Sequence, residues 1–232
     1  MARGYLFPNR LARLPSRSIR TVSFSDENVY QPQVQKVNVR TGDYKRVQTW
    51  LPGVTQWTTD LNGTVRIGQG RETLGGGKYQ LHIYDIDKQS WSNHERYPGL
   101  DADQSIYGFT SNPNELVIGR YNGKDTLGLY IYDLKSKSLG RKLFHHDVYD
   151  AGSLVLNPGG TEILGVRYIS ETANIELIGN KKDGLRWVRD KYDGYGVGYI
   201  DSTQDFSKAL VKVSDASEPG TLFLVNNKTK AT

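Results

Sequence analysis

The residue types best suited to metal binding or acid–base chemistry stand together at His145, His146 and Asp147. Neighbouring side chains on an extended strand point to opposite faces of the sheet, so two consecutive histidines cannot both bind one ion unless the chain turns sharply between them. The other two histidines, His82 and His94, are isolated in the sequence. We therefore interpret the run as a loop at the edge of a sheet, and we predict no metal site.

Carboxylates and glycines that could serve catalysis or a cofactor also have simpler interpretations. An aspartate commonly hydrogen-bonds the backbone of its own turn. We favour that interpretation for Asp201, Asp205, Asp215 and Glu218. The glycine-rich residues 69–78 lack a Gly-Lys-Ser/Thr ending and a following helix, and residues 194–198 lack the flanking strand and helix of a dinucleotide fingerprint. No Gly-x-Ser-x-Gly segment occurs. The sequence thus predicts no catalytic residue and no cofactor.

The elements that must position these residues recur along nearly the whole chain. The clearest copy is residues 127–140, an apolar strand that turns through a tip rich in lysine and serine. Equivalent turn residues follow one another at intervals of 47, 48, 46 and 47 residues: Asn38, Asp85, Asp133, Gly179 and Asn226. A period near 47 in a chain of short strands is typical of propeller blades, each of which is a four-stranded antiparallel meander.

We predict an all-β fold, a single-domain β-propeller of about five blades. The blades span about residues 4–49, 54–97, 105–144, 150–190 and 196–232, and the last is incomplete. Asn62-Gly63, between two alternating runs, predicts a hairpin in the second blade. We expect the first strand of the first blade at residues 5–7 or 10–14, and the outer strand of the fourth blade at residues 185–190.

Composition excludes several classes of partner. The formal charge is +5, but the 30 lysines and arginines are scattered among acidic residues, so we predict a solvated surface and no nucleic-acid partner. The absence of cysteine excludes disulfides. No run approaches the ~20 apolar residues of a membrane helix, and the first residues do not form a secretory signal. We expect a soluble protein with no membrane partner, and the compartment stays open between cytoplasm and periplasm.

Several short motifs occur in a characteristic order between about residues 20 and 228. They are residues 32–42, Trp57 with residues 60–66, residues 150–152, residues 165–168 and residues 211–220. In this order they resemble the N-terminal propeller of the prolyl-oligopeptidase family of serine peptidases, in its bacterial acylaminoacyl-peptidase-like branch.

The resemblance implies a propeller of seven or eight blades that caps an α/β-hydrolase domain with a Ser-Asp-His triad and admits only short peptides. This sequence has room for about five blades and contains no hydrolase domain, so none of the catalytic residues of the family can be placed on it. The chain would then be a non-catalytic gate, with the hydrolase domain and short peptides as its partners. A free-standing platform that binds a peptide or protein, and a small propeller enzyme or sugar binder, remain as alternatives.

The two ends of the array lead to a further expectation. An arc cut from a larger ring exposes faces that are buried in the complete ring, and uncapped repeats are a liability for solubility. We expect the chain to be such an arc, and either to close on itself through residues 5–7 or to associate through its ends. The side chains expected there are Val22, Phe24, Val37 and Val39 at one end and Tyr199, Leu210, Val211, Phe223 and Val225 at the other.

Overall fold

The computed structural model describes residues 17–26, 29–71, 77–181, 183–215, 217 and 219–232, with side chains from residue 31 onward except at Asn180. Within these ranges the chain forms 17 β-strands, one α-helix and two short 3-10 helices. None of these helices is long and apolar enough to cross a membrane. The all-β class is confirmed. The strand expected at residues 5–7 or 10–14 lies outside the described residues.

The strands are short and evenly distributed along the chain. They are β1 (Arg17–Asp26), β2 (Val29–Asn38), β3 (Tyr44–Gln48), β4 (Gln56–Thr59), β5 (Val65–Arg71), β6 (Tyr79–Asp85), β7 (Ser90–Asn93), β8 (Ile106–Phe109), β9 (Glu115–Arg120), β10 (Gly128–Asp133), β11 (Ser138–Phe144), β12 (Ala151–Leu156), β13 (Ile163–Ile169), β14 (Ala173–Leu177), β15 (Gly196–Ser202), β16 (Lys208–Ser214) and β17 (Thr221–Asn226). The helix α1 (Arg186–Lys191) and the 3-10 helices His94–Arg96 and Gly179–Lys181 lie between them.

The strands form five separate antiparallel sheets in chain order, which we call blades 1 to 5. Blade 1 contains β1–β3, blade 2 β4–β7, blade 3 β8–β11, blade 4 β12–β14 and blade 5 β15–β17. Each strand pairs with its neighbours in the sequence, so every blade is a meander. The first strands of blades 2, 3 and 4 lie against one another, β4 against β8 and β8 against β12. This is the arrangement of a β-propeller, and it confirms the predicted fold class.

The predicted turn residues of four blades close their turns in the same way. The Oδ1 atom of each accepts a hydrogen bond from the backbone N–H two residues later, as Asn and Asp side chains do in tight turns. The N–H of Lys135 donates to Asp133 at 2.8 Å, and that of Ser136 donates to the same oxygen at 2.6 Å. Asp85 and Asn226 make both corresponding bonds, and Asn38 accepts from the residue two positions later. The repeat in the sequence is therefore a repeat of local hydrogen bonding.

The same four turns share a second feature. Four residues after the Asn or Asp, the backbone φ is positive: 78° at Gly42, 50° at Gln89, 57° at Lys137 and 58° at Lys230. Only the first blade places glycine, the residue without steric cost, at this position. In blades 2 and 3 the paired strands on either side hold a larger residue in the left-handed region and offset its cost. In blade 5 an isolated bridge between Asn226 and Ala231 closes the turn around Lys230.

We expect the turn of blade 3 to make the protein sensitive to acid. Hydrogen bonds from the backbone and hydroxyl of Ser136 hold the pKa of the Asp133 carboxyl below its ordinary value. Because the pKa of this carboxyl is lower in the folded state than in the unfolded state, where it is about 3.9, its ionised form stabilises the fold when the pH is above the unfolded value. This stabilisation is lost as the pH falls through the lower pKa of the folded state. Asp133→Asn keeps the acceptor but removes the charge, so its unfolding free energy should fall less between pH 5 and pH 2 in urea titrations.

The reverse substitution provides the control for this prediction. Asn226 forms the equivalent turn in blade 5 with a side chain that does not titrate. Asn226→Asp should therefore steepen the loss of stability in the same pH range. Parallel stability curves for the wild type and both variants would contradict the assignment.

Blade 4 departs from the prediction after its third strand. Gly179 stands where four blades carry Asn or Asp, with φ at 62° and no side chain to accept the turn hydrogen bonds. A 3-10 helix and α1 follow, so the strand predicted at residues 185–190 is wrong. Leu185 and Val188 are fully buried, since positions three apart lie on the same side of a helix. Next along the chain, β15 runs beside β14.

Apolar cores lie between successive blades, because one sheet cannot bury its own faces. The core between blades 2 and 3 contains Ile67, Leu81, Ile83, Phe109, Leu116 and Ile118. The core between blades 3 and 4 contains Val117, Leu129, Ile131, Ala151 and Val166. The core between blades 4 and 5 adds Leu185 and Val188 of the helical segment to Ile175, Leu177, Val197 and Ala209. Val34 of blade 1 packs against Val54, Trp57 and Val65.

The end face of blade 5 differs from the expectation. Tyr199, Val211 and Val225 are buried in the core with blade 4, so placing them on an exposed end was wrong. Because strand side chains alternate between faces, Leu222 and Leu224 point outward instead, and they are 59% and 63% exposed. Leu210 and Phe223 are half-buried.

At the other end, Val39 is exposed and Val37 is half-buried. The side chains of Val22 and Phe24 lie outside those described. Association through the ends stays a prediction.

Candidate functional site on the crossover face

The meander gives the two ends of every blade different roles. Because successive strands run in opposite directions, the hairpins after the first and third strands share one end, which we call the hairpin face. The hairpin after the second strand and the connection to the next blade share the opposite end, which we call the crossover face. On the crossover face the connections between blades are residues 49–55, 94–105, 145–150 and 192–195.

Large apolar side chains stand exposed on the crossover face. They are Tyr79, Tyr121, Val148, Ile169 and Tyr195, between 48% and 75% exposed. Each lies at a strand end or in a connection there rather than on a blade edge. Exposed aromatic residues supply contact area with few rotatable bonds, which suits them to binding surfaces.

A cavity of about 470 Å³ opens on the crossover face beside blade 2 and the connection that follows it. Its lining includes the side chains of Lys78, Tyr79, Glu95 and Asp103. Within the described residues, none of these three charged groups forms an ion pair. The volume lies in the range of small-ligand sites, about 300–1,000 Å³. The cavity therefore offers charges of both signs that have no ion-pair partner among the described residues. They lie beside the ring of Tyr79, whose centroid is 4.7 Å from the Arg71 guanidinium.

One of the two isolated histidines lines this cavity. His82 is opposite Asn93 in the β6–β7 pair, and His94 follows directly and lines the cavity. Burial lowers the pKa of His82, and a hydrogen bond with the Pro52 carbonyl partly opposes this. Among the described residues, His82 Nε2 and His94 Nδ1 are buried without a hydrogen-bond partner. Burial therefore favours the neutral imidazole at His82.

A smaller cavity of about 130 Å³ lies on the hairpin face between blades 2 and 3. Several of its charged side chains contact other groups of the protein. Lys88 Nζ lies 3.2 Å from Asp85 Oδ2, and Lys137 Nζ lies 5.1 Å from the centre of the Tyr97 ring.

The His145 region contains an arrangement that the sequence did not indicate. His145 Nε2 lies 3.0 Å from Thr126 Oγ1, and His145 Nδ1 lies 3.6 Å from Asp147 Oδ1. A hydroxyl, an imidazole and a carboxylate in this order are the components of an activated nucleophile. Thr126 comes from the β9–β10 loop, 19 residues before His145, and no local motif connects the two.

The hydrogen bonds of Thr126 exclude a nucleophile in this arrangement. Its hydroxyl donates its proton to the His146 carbonyl at 2.6 Å, so this proton does not point toward the imidazole that would have to remove it. The ring of His145 must then donate from Nε2 rather than accept. Asp147 is 93% exposed, which is unlike the buried carboxylate that orients a catalytic histidine. The cluster anchors the connection between blades 3 and 4.

We expect Thr126→Val to destabilise the protein by about 1–3 kcal/mol. The variant keeps the shape of the side chain but leaves the His146 carbonyl and the ring of His145 without their partner. Urea titration at pH 8 measures the loss. Thr41→Val, at an exposed turn where the hydroxyl bonds Asp43, serves as the control and should cost clearly less. Equal losses would mean that the buried hydroxyl has no special role.

His146 turns away from His145 and makes a separate contact set. Its Nδ1 accepts from the backbone N–H of Val148 at 3.1 Å and of Tyr149 at 3.2 Å. Its ring packs against Tyr149 and Tyr168, with centroids 4.8 and 5.2 Å apart. Among the residues that the structure describes, no three His, Asp or Glu side chains are placed to hold a metal ion.

Of the carboxylates singled out in the sequence, Asp205 and Asp215 bond the backbone of their own turns, whereas Asp201 lies in β15 opposite Leu210, so the turn interpretation is wrong for it. Asp205 Oδ1 accepts from the N–H of Ser207, Asp215 Oδ1 from that of Ser217, and Asp201 Oδ1 from that of Ser202. Glu218 lies outside the described residues, as do residues 72–76 of the glycine-rich segment. Residues 196–198 begin β15, as the sequence indicated.

The sequence matches no protein-family model and no curated protein. Among solved structures the chain is similar to TolB from Acinetobacter baumannii, with 12% identity and a TM-score of 0.42, over 90% of this chain and 51% of that chain. It is similar to the β-propeller domain of the Trilobed protease from Pyrococcus furiosus, with 10% identity and a TM-score of 0.43, over 92% of this chain and 66% of that chain. It is also similar to the acylaminoacyl peptidase from Pyrococcus horikoshii, with 11% identity and a TM-score of 0.42, over 90% of this chain and 36% of that chain. The chain thus spans less than two thirds of the length of each.

Proposed function

We propose that this chain is the non-catalytic propeller domain of a serine peptidase of the prolyl-oligopeptidase family, where it admits and selects short peptides. The observation that carries the proposal is the crossover face, with its exposed aromatic residues and its 470 Å³ cavity beside blade 2 and the connection that follows it. A peptide presents an apolar side chain together with polar backbone groups and charged ends. An aromatic residue beside unpaired Lys78, Glu95 and Asp103 can recognise all of these.

The motif order along residues 20–228 supports the choice of family. A non-catalytic role is in keeping with the Thr126 hydroxyl, which is held in a donor bond to a backbone carbonyl. Acyl transfer also needs donors that stabilise the oxyanion. In the proposed assembly the nucleophile, its base and the oxyanion donors belong to the hydrolase domain, and this chain controls which peptides reach them.

Binding of a short peptide tests the role of the crossover face. Fluorescence anisotropy with a labelled tetrapeptide, Ala-Ala-Tyr-Ala, measures affinity for the wild type and for Tyr79→Ala. Loss of an aromatic anchor costs at least about 1 kcal/mol, so we expect about fivefold weaker binding. Tyr44→Ala is the matched control, because Tyr44 is also exposed but lies on the outer strand β3 of blade 1. Equal affinities for all three proteins would refute the role of this cavity.

The reading frame of the gene tests the family. A Gly-x-Ser-x-Gly segment encoded in the same frame as this chain is expected for a peptidase of this kind. A gene without it, combined with retained peptide binding, would favour a free-standing peptide-binding platform instead.

A further inference from the structure

The connection between blades 3 and 4 contains a turn built like those of the repeat, but with a histidine in place of Asn or Asp. In the repeat turns, Oδ1 of Asp133 accepts from the N–H groups two and three residues later. His146 Nδ1 accepts from Val148 and Tyr149, which are also two and three residues later. The imidazole nitrogen is therefore the hydrogen-bond acceptor of this turn, where the repeat turns use a carboxylate or amide oxygen.

Two backbone donors at one ring nitrogen decide the protonation state of His146 in this structure. An imidazole nitrogen accepts hydrogen bonds only when it carries no proton, and backbone amides can only donate. The ring is therefore neutral, with its proton on Nε2. In the imidazolium form Nδ1 would carry a proton and could no longer accept. Its N–H would face the N–H groups of Val148 and Tyr149, and both hydrogen bonds would be lost.

The surroundings of the ring are mostly aromatic. Tyr149 and Tyr168 flank it, and Phe144 stacks on Tyr168 at 5.6 Å. The charged groups of the connection are Asp147, which lies near His145 rather than His146, and Asp150, whose Oδ1 accepts the N–H of Leu127.

From the neighbouring blade, β13 contributes Tyr168. Burial raises the pKa of Tyr168, with Arg189 and Glu176 close enough to influence it, so this ring stays neutral through the range in which histidine titrates. His145 is the other titratable ring in the connection, and it bonds Thr126 rather than the turn.

We infer that His146 makes the connection between blades 3 and 4 a pH-sensitive turn. Histidine side chains ordinarily change charge between pH 5 and pH 8. Above this range the turn is closed, and the ring is held between Tyr149 and Tyr168. As pH falls, Nδ1 takes up a proton, the N–H groups of Val148 and Tyr149 are released, and the aromatic stack opens toward the crossover face. The Asp133 turn stays closed in this range because the pKa of its carboxyl is lowered, so the acceptor does not change charge there.

Nuclear magnetic resonance of the whole chain between pH 8 and pH 5 tests this inference. Long-range proton–nitrogen spectra should show His146 protonated on Nε2 alone at pH 8. The amide protons of Val148 and Tyr149 should shift upfield together with the titration of this ring. The amides of Lys135 and Ser136, in the Asp133 turn, form the internal control and should not shift.

Two variants separate His146 from its neighbour. His146→Asn retains an acceptor that does not titrate, so the amides of Val148 and Tyr149 should keep their pH 8 positions down to pH 5. His145→Asn should leave the titration of these amides in place. The inference is overturned if Nδ1 carries the proton at pH 8, if the two amides do not follow the His146 ring, or if His145→Asn abolishes their shift. The wild-type spectra decide the first two outcomes even if a variant fails to fold.

Discussion

Arg66→Met is expected to lower the free energy of unfolding by about 3–5 kcal/mol, the largest effect that we expect from any single substitution in this chain. The Arg66 side chain is 1% exposed and joins blades 2 and 3. Its Nε donates to the Tyr84 carbonyl at 3.0 Å, Nη1 donates to the Pro113 carbonyl, and the guanidinium lies 3.6 Å from Asp60. Methionine fills similar space but leaves Asp60 as an uncompensated buried charge. The melting temperature should fall by roughly 10 °C.

A double variant distinguishes the charge from the packing. Asp60 Oδ1 also accepts from the N–H of Asn62 and Thr64, and an asparagine retains that acceptor without the charge. Asp60→Asn combined with Arg66→Met should therefore recover about 1 kcal/mol or more relative to Arg66→Met alone. Arg141→Met is the control, since Arg141 is exposed and 4.0 Å from Glu115, and it should cost less than about 1 kcal/mol. A loss at Arg66 no larger than at Arg141 would contradict the role of the buried ion pair.

Gly165→Ala is expected to destabilise blade 4 by about 1–3 kcal/mol or more. Gly165 lies in β13, the central strand of the blade, opposite Val155 on one side and Leu177 on the other. A Cβ atom at this position would meet the backbone carbonyl of Glu176 in β14 far inside ordinary contact distance. Because the obstacle is backbone rather than a flexible side chain, β13 and β14 must move apart. Urea titration followed by circular dichroism measures the loss.

Gly198→Ala is the matched control for this clash. Gly198 is also a strand glycine, in β15, but the nearest atom to an added Cβ is the Lys212 carbonyl oxygen at 3.8 Å, an ordinary contact. Replacing such a glycine reduces the conformational freedom of the unfolded chain, so Gly198→Ala should be neutral or stabilise by about 0.4–1 kcal/mol. If both variants lose the same stability, the close approach of β13 and β14 is not the cause.

The features that sequence analysis predicted correctly depend on neighbours along the chain. The spacing of Asn38, Asp85, Asp133 and Asn226 identified the turns because each side chain bonds a backbone group two residues away. The Asn62-Gly63 hairpin was predicted for the same reason, and it joins β4 to β5 with φ at 81° on the glycine. Local hydrogen bonding leaves a signal in the sequence that does not depend on the rest of the fold.

The error in blade 4 arose where the local signal was missing. Gly179 keeps the period of the repeat but has no side chain to close the turn, and residues 185–190 contain apolar residues compatible with either a strand or a helix. Burial of Leu185 and Val188 beside Val197 and Ala209 of blade 5 favours the helix. A single sequence does not record which neighbouring surface an apolar residue will meet.

Patterns in the sequence were enough to establish the class of fold, the number of repeats and the positions of most strands, because strand alternation and turn chemistry act over a few residues. The packing of the folded chain was needed to place Thr126 against His145, to bury Arg66 between two blades, and to gather Tyr79, Glu95 and Asp103 around one cavity. These groups meet across loops or between blades, and the physical forces that join them, burial and charge pairing, act through space. Their partners are therefore decided by how the blades stack.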